Sequence, residues 1–184
     1  IIRNIDIKRN ITDSLLSEIF LEEDVQRDSL QQLFLLKGHA GSGKSVALKR
    51  IAWDAAITFN KLCLFVKPGA NVSYYALAEL YNLCKERLFI FIDPAGDNID
   101  LIKELMTKAC NDKILLTIIA GERVNEWNER CNILQQYLTQ DYHLKYLHDV
   151  EISALIEKLR QHNSLGFLEG LTPDKQKDAF RKIA

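Results

Sequence analysis

The stretch "GHAGSGKS", from Gly38 to Ser45, decides the fold of this 184-residue chain. Its spacing fits the pattern G-x-x-x-x-G-K-[ST], in which Gly38 and Gly43 allow backbone conformations that a Cβ would forbid. The N–H groups of such a loop point inward at a helix N-terminus, whose partial positive charge favours an anion. We therefore interpret residues 38–45, the phosphate loop, as a binding site for nucleotide phosphates. Lys44 would contact the β- and γ-phosphate oxygens, and the Ser45 hydroxyl would ligate Mg²⁺.

The residues around the phosphate loop provide the context that this motif requires. An apolar strand pattern at 31–38 leads into the loop, and a helix pattern at 44–59 follows it. Gly41 helps the main chain to approach the phosphates closely. His39 occupies an unrestricted position of the motif, and we expect it to contact solvent or a neighbouring domain. The expected nucleotide-binding residues are Gly38, His39, Ala40, Gly41, Ser42, Gly43, Lys44, Ser45 and Val46.

Strand and helix patterns alternate along the chain outside the loop. Near-continuous apolar strands are typical of a sheet that helices cover on both faces. Alternation of strand and helix predicts parallel strands with right-handed crossovers. The predicted fold class is therefore α/β, a three-layer P-loop NTPase. The predicted strands lie at 31–38, 61–68, 87–93, 113–121 and 142–147, and the predicted helices at 44–59, 73–86, 99–110, 124–138 and 148–162.

The pattern divides the chain into three parts. Residues 1–29 form a predicted lead-in helix, and residues 30–148 form the ATPase core. After the core the pattern is helical only, so residues 149–184 are interpreted as the beginning of a helical, lid-like domain. The only methionine is Met106, and the sequence stops within the amphipathic pattern "KDAFRKIA". We expect the chain to be part of a larger multidomain protein.

An aspartate at the end of a buried strand supplies the second candidate part of the site. The run Leu88–Ile92 is entirely apolar and is followed by Asp93. Because the carboxyl ends of parallel strands face the ligand crevice, we predict that Asp93 holds the Mg²⁺ shell. Asp97 either orients the attacking water or caps the following helix, and the sequence leaves both roles open. Since Pro94, not a second acid, follows Asp93, we expect slow hydrolysis.

The third candidate part is "GER", at the end of the strand pattern 113–121 and just beyond it. If this strand lies beside the strand of the phosphate loop, Arg123 comes near the γ-phosphate, where its charge distinguishes ATP from ADP. Glu122 either positions water or is a solvated residue at the start of a helix, and we favour the solvated interpretation. We expect Trp127 to pack in the core. Arg130 is either solvated or acts on a neighbouring subunit.

Composition excludes several other classes of function for this segment. The formal net charge is −1 without a long basic block, so the segment lacks the footprint of non-specific nucleic-acid or membrane binding. No apolar run is long enough to span a bilayer. The cysteines are far apart in the sequence, which disfavours a metal site. We interpret them as reduced and mostly buried residues of a cytoplasmic protein. The cysteines are Cys63, Cys84, Cys110 and Cys131.

The motifs "GHAGSGKS", "FIFIDPAGDN" and "LLTIIAGER", in this order and spacing, resemble those of STAND ATPases. This branch is related to AAA+ and includes NACHT and NB-ARC modules. "GERVNEW" and "LKYLHDVEISALIEKL" are similar, more narrowly, to novel STAND modules of bacterial antiphage defence proteins. The resemblance covers residues 33–159 and implies an ASCE-type core with a five-stranded parallel sheet of order 5-1-4-3-2. The resemblance also implies that the bound nucleotide is ATP rather than GTP.

The same resemblance implies a molecular switch with ATP or ADP and Mg²⁺ as cofactors. Such a switch is closed with ADP at rest and becomes a homo-oligomer with ATP when a sensor domain meets its trigger, for example a phage protein. Sensor and effector would lie outside this segment. The alternative is an AAA+-type remodelling ATPase or loader whose ATP turnover is the output, with Arg130 acting across subunits. A kinase is the least favoured class, because no arginine-rich lid follows the core.

Overall fold

The computed structural model describes residues 6–21 and 30–183, and in them five strands form one parallel sheet. The strands are β1 (Gln31–Gly38), β2 (Leu62–Phe65), β3 (Leu88–Ile92), β4 (Leu116–Arg123) and β5 (Leu138–Leu144). The helices are α1 (Asn10–Leu16), α2 (Lys44–Thr58), α3 (Tyr74–Cys84), α4 (Ile99–Asn111), α5 (Val124–Arg130), α6 (Asp149–Gln161) and α7 (Pro173–Ile183). The spatial order is β2-β3-β4-β1-β5, so the predicted α/β class and the predicted order 5-1-4-3-2 are confirmed.

Alternate side chains of each central strand enter two separate hydrophobic cores. In β1, Leu33 and Leu35 pack in one core, while Phe34 and Leu36 pack in the other. Helices α1 and α2 cover the second core, and α3, α4 and α5 cover the first. This alternation follows from the two-residue period of a strand and produces the three layers.

The register of β4 determines which residues meet at the carboxyl edge of the sheet. Gly38 of β1 pairs with Arg123 of β4, and Ile92 of β3 pairs with Ala120. The three strands therefore end side by side. The loops that follow them lie at one edge of the sheet, where parallel α/β folds bind their ligands.

Two predicted elements differ most from their bounds in the structure. The strand predicted at 142–147 is β5, which begins and ends earlier. Only Tyr142 and Leu144 of this edge strand are buried. Its first half is largely polar, so the sequence pattern does not reveal where the strand begins. The helix predicted at 124–138 is interrupted after α5 and continues as a 3₁₀ helix at Asn132–Tyr137.

The segments on either side of the core are helical where the structure describes them. Helix α1 continues into a π-helical turn at Ser17–Leu21. The predicted lead-in helix also includes residues 1–5 and 22–29, which lie outside the described residues. Helices α6 and α7 form what we name the helical segment, residues 149–183. The buried residues of its apolar cluster are Ile152, Ile156, Leu165 and Leu168, and five half-buried residues pack against them, which are Leu147, Leu159, Leu171, Ala179 and Phe180.

The cysteines differ in exposure, so the expectation that most of them are buried is wrong. All four are free thiols. Cys131 is buried, Cys63 and Cys84 are half-buried, and Cys110 is exposed near the end of α4. Burial is the main cause that raises the pKa of the Cys63 thiol to about 12 and that of Cys131 to about 11. Among the described helices, none combines the length and the apolar character needed to cross a membrane.

Candidate functional site

The phosphate loop turns at two glycines and ends at a helix N-terminus. Gly41 has a φ of 77° and Gly43 a φ of 88°, a region that strains residues with a Cβ. Gly43 is the N-cap of α2, so the loop leads directly into Lys44 at the first position of the helix. A Cβ on Gly38 would lie 2.6 Å from the buried Ser42 Oγ. The loop is thus closely packed beneath, and its outer face meets solvent.

The Lys44 side chain lies across the start of the loop. Its Nζ donates hydrogen bonds to the carbonyl oxygens of Gly38, at 3.0 Å, and His39, at 2.8 Å. The exposed His39 ring stacks on Tyr146 at a centroid distance of 5.7 Å. His39 therefore contacts the segment after β5. A phosphate bound at the loop could replace the two carbonyl oxygens as acceptors of the Lys44 hydrogen bonds.

The electrostatics of Lys44 show which charged groups share its site. Burial is the largest cause that lowers its pKa, and the nearby Asp93 carboxylate opposes this change. Arg123 lowers the pKa further, and Glu122 raises it. An anion bound beside Lys44 would favour the ammonium form and offset the cost of its desolvation.

A cleft of about 760 Å³ unites the ends of β1, β3 and β4. Its volume lies in the range of small-molecule sites, roughly 300–1,000 Å³. The predicted residues that line it are Ala40, Gly41, Gly43, Lys44, Ser45, Val46, Asp93, Asp97 and Arg123. Of the other predicted residues, Gly38 and Ser42 are buried and His39 faces Tyr146. Sequence reasoning missed five further lining residues, which are Lys49, Phe65, Pro68, Pro94 and Glu126.

Gly121 makes room for Asp93 at the bottom of the cleft. A Cβ on Gly121 would lie 3.0 Å from Asp93 Oδ1 and 2.5 Å from Leu48 Cδ1 of α2. Any side chain there would displace the aspartate or the helix. A lone glycine within an apolar strand pattern is a sequence signal for such a close approach.

Glu122 is buried, with 3% of its surface exposed, so the interpretation of this residue as solvated is wrong. Its Oε2 accepts a hydrogen bond from the N–H of Gly96 at 2.6 Å, and its Oε1 accepts one from the N–H of Arg123 at 2.7 Å. These two backbone donors permit the burial of a carboxylate. Glu122 thereby joins the end of β4 to the loop after β3.

Asp97 and Arg130 lie at the exposed rim of the cleft. Asp97 belongs to a 3₁₀ turn, and the N-cap position of α4 is held by Asn98, so the helix-capping alternative for Asp97 is not observed. The Asp97 carboxylate lies 3.9 Å from the Arg130 guanidinium, which also lies 3.3 Å from Glu126. Exposed pairs of this kind are weak, so the carboxylate can exchange its partner. Trp127 is buried, as predicted.

The residues around Lys44 fit a nucleotide-bound Mg²⁺ better than a free metal ion. Within residues 6–21 and 30–183, no group of three or more His, Cys, Asp or Glu side chains could hold a metal. The expected ligands Ser45 and Asp93 both line the cleft. Mg²⁺ commonly takes one or two protein oxygens and completes its shell with phosphate oxygens and water. The donor set therefore fits Mg²⁺ that arrives with phosphates.

The sheet order and the phosphate loop place the chain in the class of P-loop NTPases. The model of the family "Novel STAND NTPase 5" matches residues 1–135, and the chain belongs to this family. The resemblance to STAND ATPases is thus confirmed. Comparison with curated protein sequences gives no match.

Several solved structures of AAA+ P-loop ATPases have a similar fold. Aeropyrum pernix ORC2, in ADPNP–ADP complexes, is 12% identical with a TM-score of 0.61 over 85% of this chain and 52% of that one. Caenorhabditis elegans PCH-2 is 16% identical with a TM-score of 0.62 over 92% of this chain and 52% of that one. The Thermotoga maritima RuvB Holliday junction branch migration motor is 19% identical, with a TM-score of 0.58 and coverages of 85% and 52%. The chain spans about half the length of these proteins, and the similarity shows the fold.

Proposed function

We propose that this chain is the ATP- and Mg²⁺-binding module of a STAND-type molecular switch in a signalling or antiphage defence protein. ATP binding would drive homo-oligomerisation and effector activation, and slow hydrolysis would reset the switch. One observation carries the proposal. The backbone pairing of Gly38 with Arg123 brings the guanidinium and Lys44 to one cleft at the phosphate loop. Membership of the STAND family supports the same proposal.

Lys44, Ser45 and Asp93 would bind the phosphates and the cation. Lys44 Nζ already points two hydrogen bonds at carbonyl oxygens, and phosphate oxygens would replace these acceptors with stronger, charge-assisted bonds. Ser45 and Asp93 line the same cleft and would hold Mg²⁺, which neutralises phosphate charge when bound. The chain's own contribution is to orient the phosphates and exclude water beneath them.

Arg123 would distinguish ATP from ADP. Its backbone N–H is held by the buried Glu122, while its side chain is exposed and lines the cleft. A γ-phosphate gives this guanidinium a charged partner that ADP lacks. A difference of a few kcal/mol between two conformations is enough to shift their populations by orders of magnitude.

Slow hydrolysis agrees with the placement of the two candidate carboxylates. Both oxygens of Glu122 accept backbone hydrogen bonds, which suits a structural role. Asp97 is exposed at the rim, and we propose that it orients the attacking water. Arg130 competes for the same carboxylate, so water would be held in position only part of the time.

The division of the chain extends the proposal beyond the cleft. Residues 30–148 would form the ATPase core, and residues 149–184 would begin a helical domain that covers the nucleotide. The residues before the core would connect it to other parts of a larger protein. A sensor for the trigger, such as a phage protein, would belong to those other parts.

Equilibrium binding of fluorescent ATP and ADP analogues with Mg²⁺ tests the proposal. For Arg123→Ala we expect ATP affinity to fall by about 10- to 150-fold, because one charge-assisted hydrogen bond is worth about 1.5–3 kcal/mol. ADP affinity should change by less than about twofold. Arg130→Ala, which removes another arginine of the same cleft, should leave the ratio of the two affinities unchanged. Equal losses for ATP and ADP in Arg123→Ala would contradict the assigned role.

The alternative function is a remodelling ATPase or loader whose output is ATP turnover. The exposed position of Arg130 at the rim favours it, because a neighbouring subunit could use this guanidinium in trans. Steady-state hydrolysis by the assembled protein distinguishes the two functions. Fast turnover that Arg130→Ala abolishes would favour the alternative, and slow turnover that Arg130→Ala leaves unchanged would favour the switch.

A further inference from the structure

Arg9, which precedes α1, connects three distant segments of the chain. Its guanidinium is buried, with 8% of the residue exposed, and makes three hydrogen bonds. Nη1 donates to the Ser42 carbonyl of the phosphate loop at 2.9 Å. Nη2 donates to the Lys145 carbonyl after β5 at 2.7 Å, and Nε donates to Glu151 Oε1 in α6 at 2.9 Å. One side chain thus holds the loop and the helical segment together.

The bond to Ser42 fixes the orientation of one peptide group in the loop. In a trans peptide the C=O of Ser42 and the N–H of Gly43 point in opposite directions. Arg9 contacts the C=O on the buried side, while Gly43 lines the cleft. This arrangement turns the Gly43 N–H toward the cleft. Because the loop contains two glycines at positive φ, this peptide could otherwise rotate easily.

The bond to Glu151 fixes the first turn of α6. Glu151 is 8% exposed, and its Oε2 accepts a hydrogen bond from the backbone N–H of His148 at 2.9 Å, which caps the helix. Removal of one partner from a buried ion pair leaves an uncompensated charge and is strongly destabilising. A displacement of α6 would therefore move Arg9 with it, and with Arg9 the Ser42 carbonyl.

We propose that Arg9 is a positioning residue that orients the Ser42–Gly43 peptide for phosphate binding and links nucleotide occupancy to the placement of α6. The proposal rests on the proposed function, because the link needs a nucleotide in the cleft. It also implies the reverse effect. Any partner that displaces α6 changes the affinity for nucleotide by the same factor as nucleotide changes the affinity for that partner.

A double variant removes the link without leaving a buried charge. In Arg9→Met combined with Glu151→Gln, both charges disappear, and the glutamine can still accept the N–H of His148. Replacement of both members of a buried ion pair is often neutral for stability. The matched control is Arg87→Met, since Arg87 donates to the Leu30 carbonyl at the opposite edge of the sheet.

The test measures binding of a fluorescent ADP analogue and hydrogen exchange of α6 with and without ADP, in the intact protein. In the wild type and the control, we expect ADP to slow exchange in α6. In the double variant we expect binding to weaken by about tenfold, within the usual range of coupling between sites, and the response of α6 to disappear. An α6 response that persists in the double variant, or is absent from the wild type, overturns the inference.

Two further results separate this inference from the function on which it rests. A wild type that binds no nucleotide overturns both. A wild type that binds ADP with an unresponsive α6 overturns only the role of Arg9. If the double variant does not fold, Arg9→Lys alone provides the comparison, because lysine keeps the positive charge beside Glu151 but lacks the planar fork that contacts Ser42, Lys145 and Glu151 together. We expect it to show a smaller α6 response than the wild type, and an unchanged response overturns the inference.

Discussion

The sheet beneath the phosphate loop and the helical segment differ in how they are held. Every residue of β3 is buried, and both faces of the sheet pack in large hydrophobic cores. The helical segment has one small apolar cluster, and its Val150 and Phe167 are 80% and 79% exposed. The packed sheet keeps the phosphate-binding groups in place, whereas the helical segment has fewer buried apolar contacts and can move more easily, with Arg9 held to its α6. This contrast is what a switch needs.

The largest expected effect is on stability, and it compares a phenylalanine of the sheet with one of the helical segment. Phe91 is buried in β3 and stacks with Phe65 at a centroid distance of 6.2 Å, whereas Phe167 is exposed. We expect Phe91→Ala to lower the free energy of unfolding by about 3–5 kcal/mol. Phe167→Ala should change it by less than about 0.5 kcal/mol. Chemical denaturation of both variants measures the difference, and similar losses would remove the contrast.

Lys44→Ala should have the next largest effect, and it tests the phosphate loop at the end of the sheet. We expect nucleotide affinity to fall by about 100- to 1,000-fold, because charge-assisted bonds to two phosphates are lost. Stability should change little, since the lysine is only partly buried. Lys103→Ala, at a half-buried lysine of α4 that does not line the cleft, is the control for loss of positive charge. Wild-type affinity in Lys44→Ala, measured by calorimetry, would contradict the assignment of the cleft.

The variants Asp97→Asn and Glu122→Gln distinguish a residue that orients the attacking water from one that holds backbone N–H groups in place. We expect Asp97→Asn to slow hydrolysis by about 100-fold, with nucleotide affinity unchanged. In Glu122→Gln the amide group would face one of two backbone N–H donors, so Arg123 should shift and ATP affinity should fall. Single-turnover hydrolysis and binding distinguish the two. The reverse pattern would exchange the two roles.

The smallest expected effect is the pH dependence of binding. Burial lowers the pKa of Lys44 from 10.5, and bound phosphate favours the ammonium form, so nucleotide affinity should fall as pH rises through this lowered pKa. Without nucleotide, the contribution of Lys44 to the free energy of unfolding depends on pH with the opposite sign. The unfolded chain binds more protons between the lowered pKa and 10.5, so in this window the contribution of Lys44 to stability rises with pH. A titration in which Lys44→Ala shows the same loss of affinity would assign the dependence to another group.

The phosphate loop and the sheet order could be predicted because their signals are local or belong to a family pattern. Glycines at fixed spacing before an apolar helix identify the loop wherever it occurs. Burial of Glu122 could not be predicted, because its donor Gly96 lies 26 residues away in the sequence. Arg9 was missed for the same reason, since Glu151 lies 142 residues away. The sequence shows charge, whereas the fold determines which charges meet.

The solution mass of the intact protein, measured in ADP and then in ATP with Mg²⁺ and the trigger present, tests the central claim most directly. The proposed switch predicts a discrete oligomer that forms only with ATP and is lost in Lys44→Ala. A mass that stays the same in both nucleotides would contradict the switch and favour an ATPase whose turnover is the output.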